Sequence, residues 1–101
     1  MQSSEFDSYI IYHEEKQGGK EKLVITCFYE DKTVGFISFY DGEVPNPEVL
    51  PHGVLKLNFH MDRIREIMDT IRFEKPLFIS VSQDKSMIST VREPVGEQEG
   101  H

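Results

Sequence analysis

The chain has little of what several common protein classes require. Its 101 residues contain a single cysteine, Cys27, which cannot form an internal disulfide, so an oxidising compartment is not indicated. No apolar run approaches the roughly 20 residues that cross a bilayer. The first residues, Met1–Asp7, contain no apolar signal-peptide core. We therefore expect a cytoplasmic protein with no membrane partner.

Positive charge is also scarce. Eleven Lys and Arg residues stand against 18 Asp and Glu residues, which gives a formal net charge of −7. Nucleic-acid binding draws most of its affinity from cationic contacts to phosphate, and anionic membrane surfaces attract basic segments in the same way. The composition therefore predicts no nucleic-acid partner.

Motifs for catalysis, metals and cofactors are missing as well. The glycine pair in Gly18–Lys20 is followed by Glu21 and a strand, which is typical of a hairpin turn rather than a phosphate loop. Cys27 lies in the middle of a predicted strand, where a buried and inert thiol is expected. The histidines before the last residue lack the spacing of a metal site: His13, His52 and His60. We expect no cofactor, no metal and no enzymatic activity.

The length predicts one α+β domain, residues 1–98, with a loose polar tail from about residue 93. The last three residues, 99–101, have the composition of an affinity-tag remnant and are left out of functional reasoning.

A change of hydrophobic period identifies the centre of the fold. Val54–Phe59 alternates apolar and polar residues with period two, as does Leu77–Ser82. Between them, a helical stripe begins at Met61 and must end before Pro76. This order predicts strand, helix, strand, with the two strands as parallel neighbours or near neighbours.

The remaining strands are predicted from β-branched and aromatic content between turn residues. They are Phe6–Glu14, Leu23–Glu30, Val34–Asp41 and Met87–Arg92. The order β-β-β-β-α-β-β predicts a mixed, mostly antiparallel sheet of five or six strands with one helix on one face, either open or curled toward a partial barrel.

One helix covers only one face of such a sheet, yet the first three strands are apolar on both faces. The second face carries Tyr12, Phe28, Phe36 and Tyr40. A second subunit, curling of the sheet, or a ligand or protein partner could each cover it. We favour a homodimer, because symmetric dimers are common among small proteins, and a non-catalytic oligomeric or protein-interaction module as the function. A bulge near Gly35 would exchange the two faces.

An alternative function depends on the long segment 41–53, which contains three prolines. Asp41 and His52 could line a pocket between this segment and the sheet, and a carboxylate beside an imidazole can act as an acid and a base. This alternative predicts a small-molecule-binding protein or a minor enzyme.

Overall fold

The computed structural model describes residues 1–90. The predicted tail and tag remnant, and the last two residues of the predicted final strand, lie outside this range. The described chain forms eight strands and one α-helix, α1 (Ile64–Phe73), which a 3₁₀ turn at Met61–Arg63 extends to 13 residues. The strands are β1 (Gln2–Phe6), β2 (Ser8–His13), β3 (Glu21–Tyr29), β4 (Lys32–Tyr40), β5 (Glu48–Val49), β6 (Leu55–His60), β7 (Leu77–Ser82) and β8 (Lys85–Thr90).

The strands form two sheets rather than the one sheet predicted. The first has the order β2-β3-β4-β6-β5 and the second the order β1-β7-β8, and every pair is antiparallel except β4 with β6. The α+β class with a single helix is confirmed. The number of sheets differs because the chain changes sheet at Asp7, between β1 and β2.

The predicted pairing around the helix is wrong. β6 and β7 lie in different sheets, so α1 connects the two sheets instead of two neighbours in one. The parallel neighbour of β6 is β4, with Gly35 opposite Leu55 and Tyr40 opposite His60. The irregular segment between β4 and β6 makes this parallel connection, which requires a crossover but not a helical one.

The core lies between the inner faces of the two sheets and beneath α1. The five-stranded sheet contributes Ile25, Ile37 and Leu57, all fully buried, and the three-stranded sheet contributes Ile79. The amphipathic helix adds Ile67 and others of its apolar stripe. The three-stranded sheet therefore covers much of the apolar surface that a single helix could not.

The two sheets approach each other closely at Gly35. A Cβ atom added there would overlap Ile79 Cδ1 and would lie 2.8 Å from the carbonyl oxygen of Leu55. The register between β3 and β4 also shifts here, because Cys27 is opposite Gly35 whereas Phe28 is opposite Thr33. The bulge therefore lies on the N-terminal side of Gly35, and the residues that follow keep the predicted alternation.

Candidate functional site

The candidate site is the outer face of the five-stranded sheet, which we define as the side turned away from the three-stranded sheet and α1. Successive side chains of a strand point to opposite faces, and the buried residues of β3 and β4 point inward. The apolar residues of the outer face are Ile10, Tyr12, Val24, Phe28, Phe36 and Tyr40.

The structure places all four predicted interaction residues on this face. Tyr12 on β2 is opposite Val24 on β3, and Phe36 on β4 is opposite Thr26 of the same β3 strand. Phe28 and Tyr40 follow the same alternation along β3 and β4. Neighbouring strands of one sheet therefore bring these side chains onto one surface.

Exposure is unequal across the outer face. Phe28, Phe36 and Tyr40 are half-buried among their neighbours, whereas Ile10 and Tyr12 are 47% and 50% exposed. The exposed apolar surface therefore concentrates on β2, at the edge of the sheet. The sequence did not distinguish these two groups, because the position of a strand within a sheet depends on pairing across the fold.

Away from β2, the outer face carries a polar cluster formed by side chains of β3, β4 and β6. Lys56 Nζ donates to Glu21 Oε2 at 3.2 Å and to Ser38 Oγ at 3.0 Å. The Tyr40 hydroxyl donates to the same Glu21 oxygen at 3.3 Å, and the Lys56 ammonium lies 5.8 Å from the centre of the Tyr40 ring. The partly buried Lys56 and Glu21 charges are therefore paired with each other, and the Lys56 ammonium also lies near the Tyr40 ring.

The surroundings of Glu21 and Lys56 favour the charged form of each side chain. Burial alone raises the pKa of Glu21, but hydrogen bonding to Ser38 and the charge of Lys56 outweigh it, and the pKa falls below its ordinary value. Burial alone lowers the pKa of Lys56, but Tyr40 and Glu21 raise it above the ordinary value. Ser38 therefore accepts a hydrogen bond from a lysine whose charged form is favoured.

Asn58 holds the segment before β6 against the sheet. Its Nδ2 group donates to the carbonyl oxygens of Asn46 at 2.9 Å and of Pro45 at 3.3 Å. Its backbone N–H donates to Ser86 Oγ at 3.0 Å, which links β6 to the start of β8. The buried Oδ1 atom accepts no hydrogen bond from the described residues. The long segment is therefore anchored by a side chain that the alternation alone would assign to solvent.

The structure does not bring the two residues of the alternative pocket together. Asp41 follows the C-terminal end of β4, where its N–H donates to the carbonyl oxygen of Lys20, and His52 precedes the N-terminal end of β6. Because β4 and β6 are parallel over the register from Gly35 to Tyr40, these two ends are about 17 Å apart at roughly 3.3 Å per residue. The small-molecule alternative stays a prediction.

Two cavities lie elsewhere. One, of about 360 Å³, lies where β1 and β2 meet the end of α1, and its charged lining residues are Glu5, Asp7, Arg72 and Lys75. The other, of about 300 Å³, lies between α1 and β8. Neither is lined by Asp41 or His52, or by a residue of the outer face.

Sequence reasoning missed Glu21, Ser38, Lys56 and Asn58. Ser38, Lys56 and Asn58 are polar in alternating strands, and such residues usually face solvent. Glu21 is predicted to lie in the turn before the strand, but it lies opposite Tyr40 because the β3–β4 register shifts between Glu21 and Leu23. The sequence held a signal for two of these four residues only, because Lys56 and Asn58 interrupt an otherwise apolar strand at a spacing of two. Cys27 is buried, as predicted, and burial raises its pKa to about 12.

Within residues 1–90 there is no cluster of three or more His, Cys, Asp or Glu side chains suited to a metal ion. Over the same range we find no helix with the length and apolar content needed to traverse a bilayer. Comparison with protein-family models, with curated proteins and with solved structures gives no match to this chain.

Proposed function

We propose that this protein is a non-catalytic, homodimeric interaction module of the cytoplasm, and that its contact surface is the β2 edge together with the exposed margin of the outer face that Ile10 and Tyr12 form. The main observation in support of this proposal is that the apolar side chains of Ile10 and Tyr12 are exposed. Tyr12 lies opposite the apolar Val24, and Ile10 is diagonal to Phe28 across the β2–β3 pair, with Thr26 between Ile10 and Phe36. A contiguous apolar patch of this kind is typical of a protein contact.

Charge supports contact between copies. The chain carries a formal net charge of −7, so most surfaces of two copies repel each other. On the outer face, however, Lys56 and Glu21 form an ion pair, and β2 contains no Asp, Glu, Lys or Arg. A two-fold contact within β2 brings apolar side chains together, while the acidic residues that flank the strand, Asp7 and Glu14, lie at the two ends of the contact.

Sedimentation velocity of matched variants tests this function. Tyr12→Glu adds a charge to the exposed part of the outer face, and Phe73→Glu adds the same charge to a side chain that is 76% exposed at the end of α1. We expect Tyr12→Glu to sediment as a monomer, while Phe73→Glu and the unmodified chain sediment as dimers. Equal dissociation of both variants, or a monomer for the unmodified chain, would contradict the proposal.

A further inference from the structure

The backbone of β2 presents unpaired hydrogen-bonding groups at the sheet edge. β2 is the outermost strand beside β3, and the Glu14 N–H donates to the Lys22 carbonyl oxygen at 3.0 Å. Antiparallel ladders alternate, so the even-numbered residues of β2 bond to β3. The N–H and C=O groups of Tyr9, Ile11 and His13 therefore point outward, and they have no backbone partner among the described residues.

β2 also lacks the usual protection of an edge strand. Natural edges are blunted by charges, prolines or bulges, and the β2 sequence Ser-Tyr-Ile-Ile-Tyr-His contains no charged residue and no proline. The other outermost strands each contain a charge: Glu5 in β1, Glu48 in β5 and Lys85 in β8. The β2 edge is thus the one suited to pairing with another strand.

We propose that two copies pair through β2, antiparallel about a two-fold axis at Ile11, and form one continuous ten-stranded sheet. This inference rests on the proposed homodimer and specifies its geometry. The axis places Ile11 opposite Ile11 of the second copy and Tyr9 opposite His13 of the second copy. All outward N–H and C=O groups of both strands are then bonded, in six hydrogen bonds.

The register follows from the pleat. Opposite residues must share a face, so the nearest other symmetric registers place Ile10 opposite Ile10 or Tyr12 opposite Tyr12 of the second copy. The first leaves the outward groups of His13, and the second those of Tyr9, without a partner on the second β2 strand, and four hydrogen bonds remain in each. In the proposed register, Ile10 packs against Tyr12 of the second copy at a non-hydrogen-bonded position, where side chains are closest. The two most exposed apolar residues of β2 therefore cover each other.

Disulfide trapping tests the register directly. The proposed pairing separates the Cα atoms of residue 10 and residue 12 of the second copy by about 4.5 Å, which a disulfide can bridge. Residue 10 of each copy is then diagonal to its equivalent, about 7–8 Å away and beyond that range. The native Cys27 is buried, and burial raises its pKa to about 12, so it does not compete. The probes are Ile10→Cys and Tyr12→Cys, oxidised alone and mixed after subunit exchange.

We expect covalent dimers in the mixture and not in either variant alone. A covalent dimer of either variant alone would overturn the register. If the unmodified chain has the mass of a dimer but neither variant, alone or in the mixture, forms a covalent dimer, the β2 pairing is wrong. The proposed function stands in that case. If the unmodified chain is monomeric at every concentration, the proposed function itself fails.

A backbone variant tests the pairing without cysteines. His13→Pro removes an outward N–H group at an exposed position that is not bonded to β3, and proline is tolerated on the solvent side of an edge strand. His13→Ala retains that N–H group and is the matched control. We expect the dimer dissociation constant to rise about tenfold or more for His13→Pro and to stay within about twofold for His13→Ala. Equal constants for the two variants would overturn the pairing.

Discussion

Replacing Gly35 with alanine tests how the two sheets pack. The added Cβ would overlap Ile79 Cδ1 in the facing sheet and lie 2.8 Å from the Leu55 carbonyl oxygen of the neighbouring strand. Both neighbours are buried in the core, so neither can move toward solvent. Overpacking of this kind costs about 1–3 kcal/mol. Alanine is favoured over glycine in a strand by roughly 0.5–1 kcal/mol, so we expect a net loss of about 1–2 kcal/mol.

Urea unfolding of the unmodified chain and four variants measures this effect. Ile79→Val removes the Cδ1 atom and by itself should cost about 0.5–1.5 kcal/mol. The Gly35→Ala and Ile79→Val double variant should be destabilised by less than the sum of the single changes, because one of the two overlaps is gone. The relief should be partial, since the Leu55 carbonyl oxygen remains. Gly19→Ala, in a turn between strands, is the control: its Cβ would lie 3.2 Å from the Cβ atom and the carbonyl oxygen of the exposed Lys16, so it should be destabilised by less than Gly35→Ala.

A Gly35→Ala variant that is as stable as the unmodified chain, or more stable, would refute this packing. Simple additivity in the double variant would also refute it, because the overlap with Ile79 Cδ1 would then not exist. Either result would mean that β4 and β7 do not pack as described, and the division into inner and outer faces would have to be revised.

Three further predictions concern the buried polar groups. Asn58→Asp replaces a donor with a carboxylate facing the Pro45 and Asn46 carbonyl oxygens, so it should lower the free energy of unfolding by about 3 kcal/mol or more, and by more than Asn58→Ala, in urea titrations at pH 7. The lowered pKa of Glu21 contributes stability above its unfolded pKa that is lost as pH falls through the folded value; Glu21→Gln should therefore lose less stability below about pH 4.5 than the unmodified chain does. Cys27, with its pKa raised to about 12, should react with iodoacetamide at pH 8 only under denaturing conditions; labelling of the folded chain at the rate of a free thiol would refute its burial.

The elements with strong periodicity could be predicted from the sequence. The alternation around Leu57 and Ile79 identified β6 and β7, and the stripe containing Ile67 identified α1, because each of these elements buries one side only. β1 was not predicted, since Gln2–Glu5 is polar and only Phe6 reaches the core. Its pairing with β7 is set by contacts about 75 residues away in the chain, which local pattern does not record.

The hydrophobic alternation also could not predict that the strands form two sheets. Period two identifies the faces of a strand but not its neighbours. The inner faces of β3 and β7 are equally apolar whether they lie in one sheet or in two sheets that face each other. The change of sheet at Asp7 is a property of the whole fold.

The candidate site was predicted in part. The alternation placed Phe28 and Phe36 on a second apolar face, and the structure keeps them there. It did not show that Ile10 and Tyr12 are the exposed members, because that depends on β2 being an edge strand. The polar cluster around Lys56 joins residues from three strands, and such a combination has no signature in one stretch of sequence.

Absolute molar mass by light scattering tests self-association most directly. The unmodified chain should be measured across roughly a hundredfold range of concentration, because dimerisation follows mass action. We predict a mass of twice 11.7 kDa at the upper end, falling toward 11.7 kDa only on dilution. A mass of 11.7 kDa at every concentration would contradict the account and leave the β2 edge without its proposed partner.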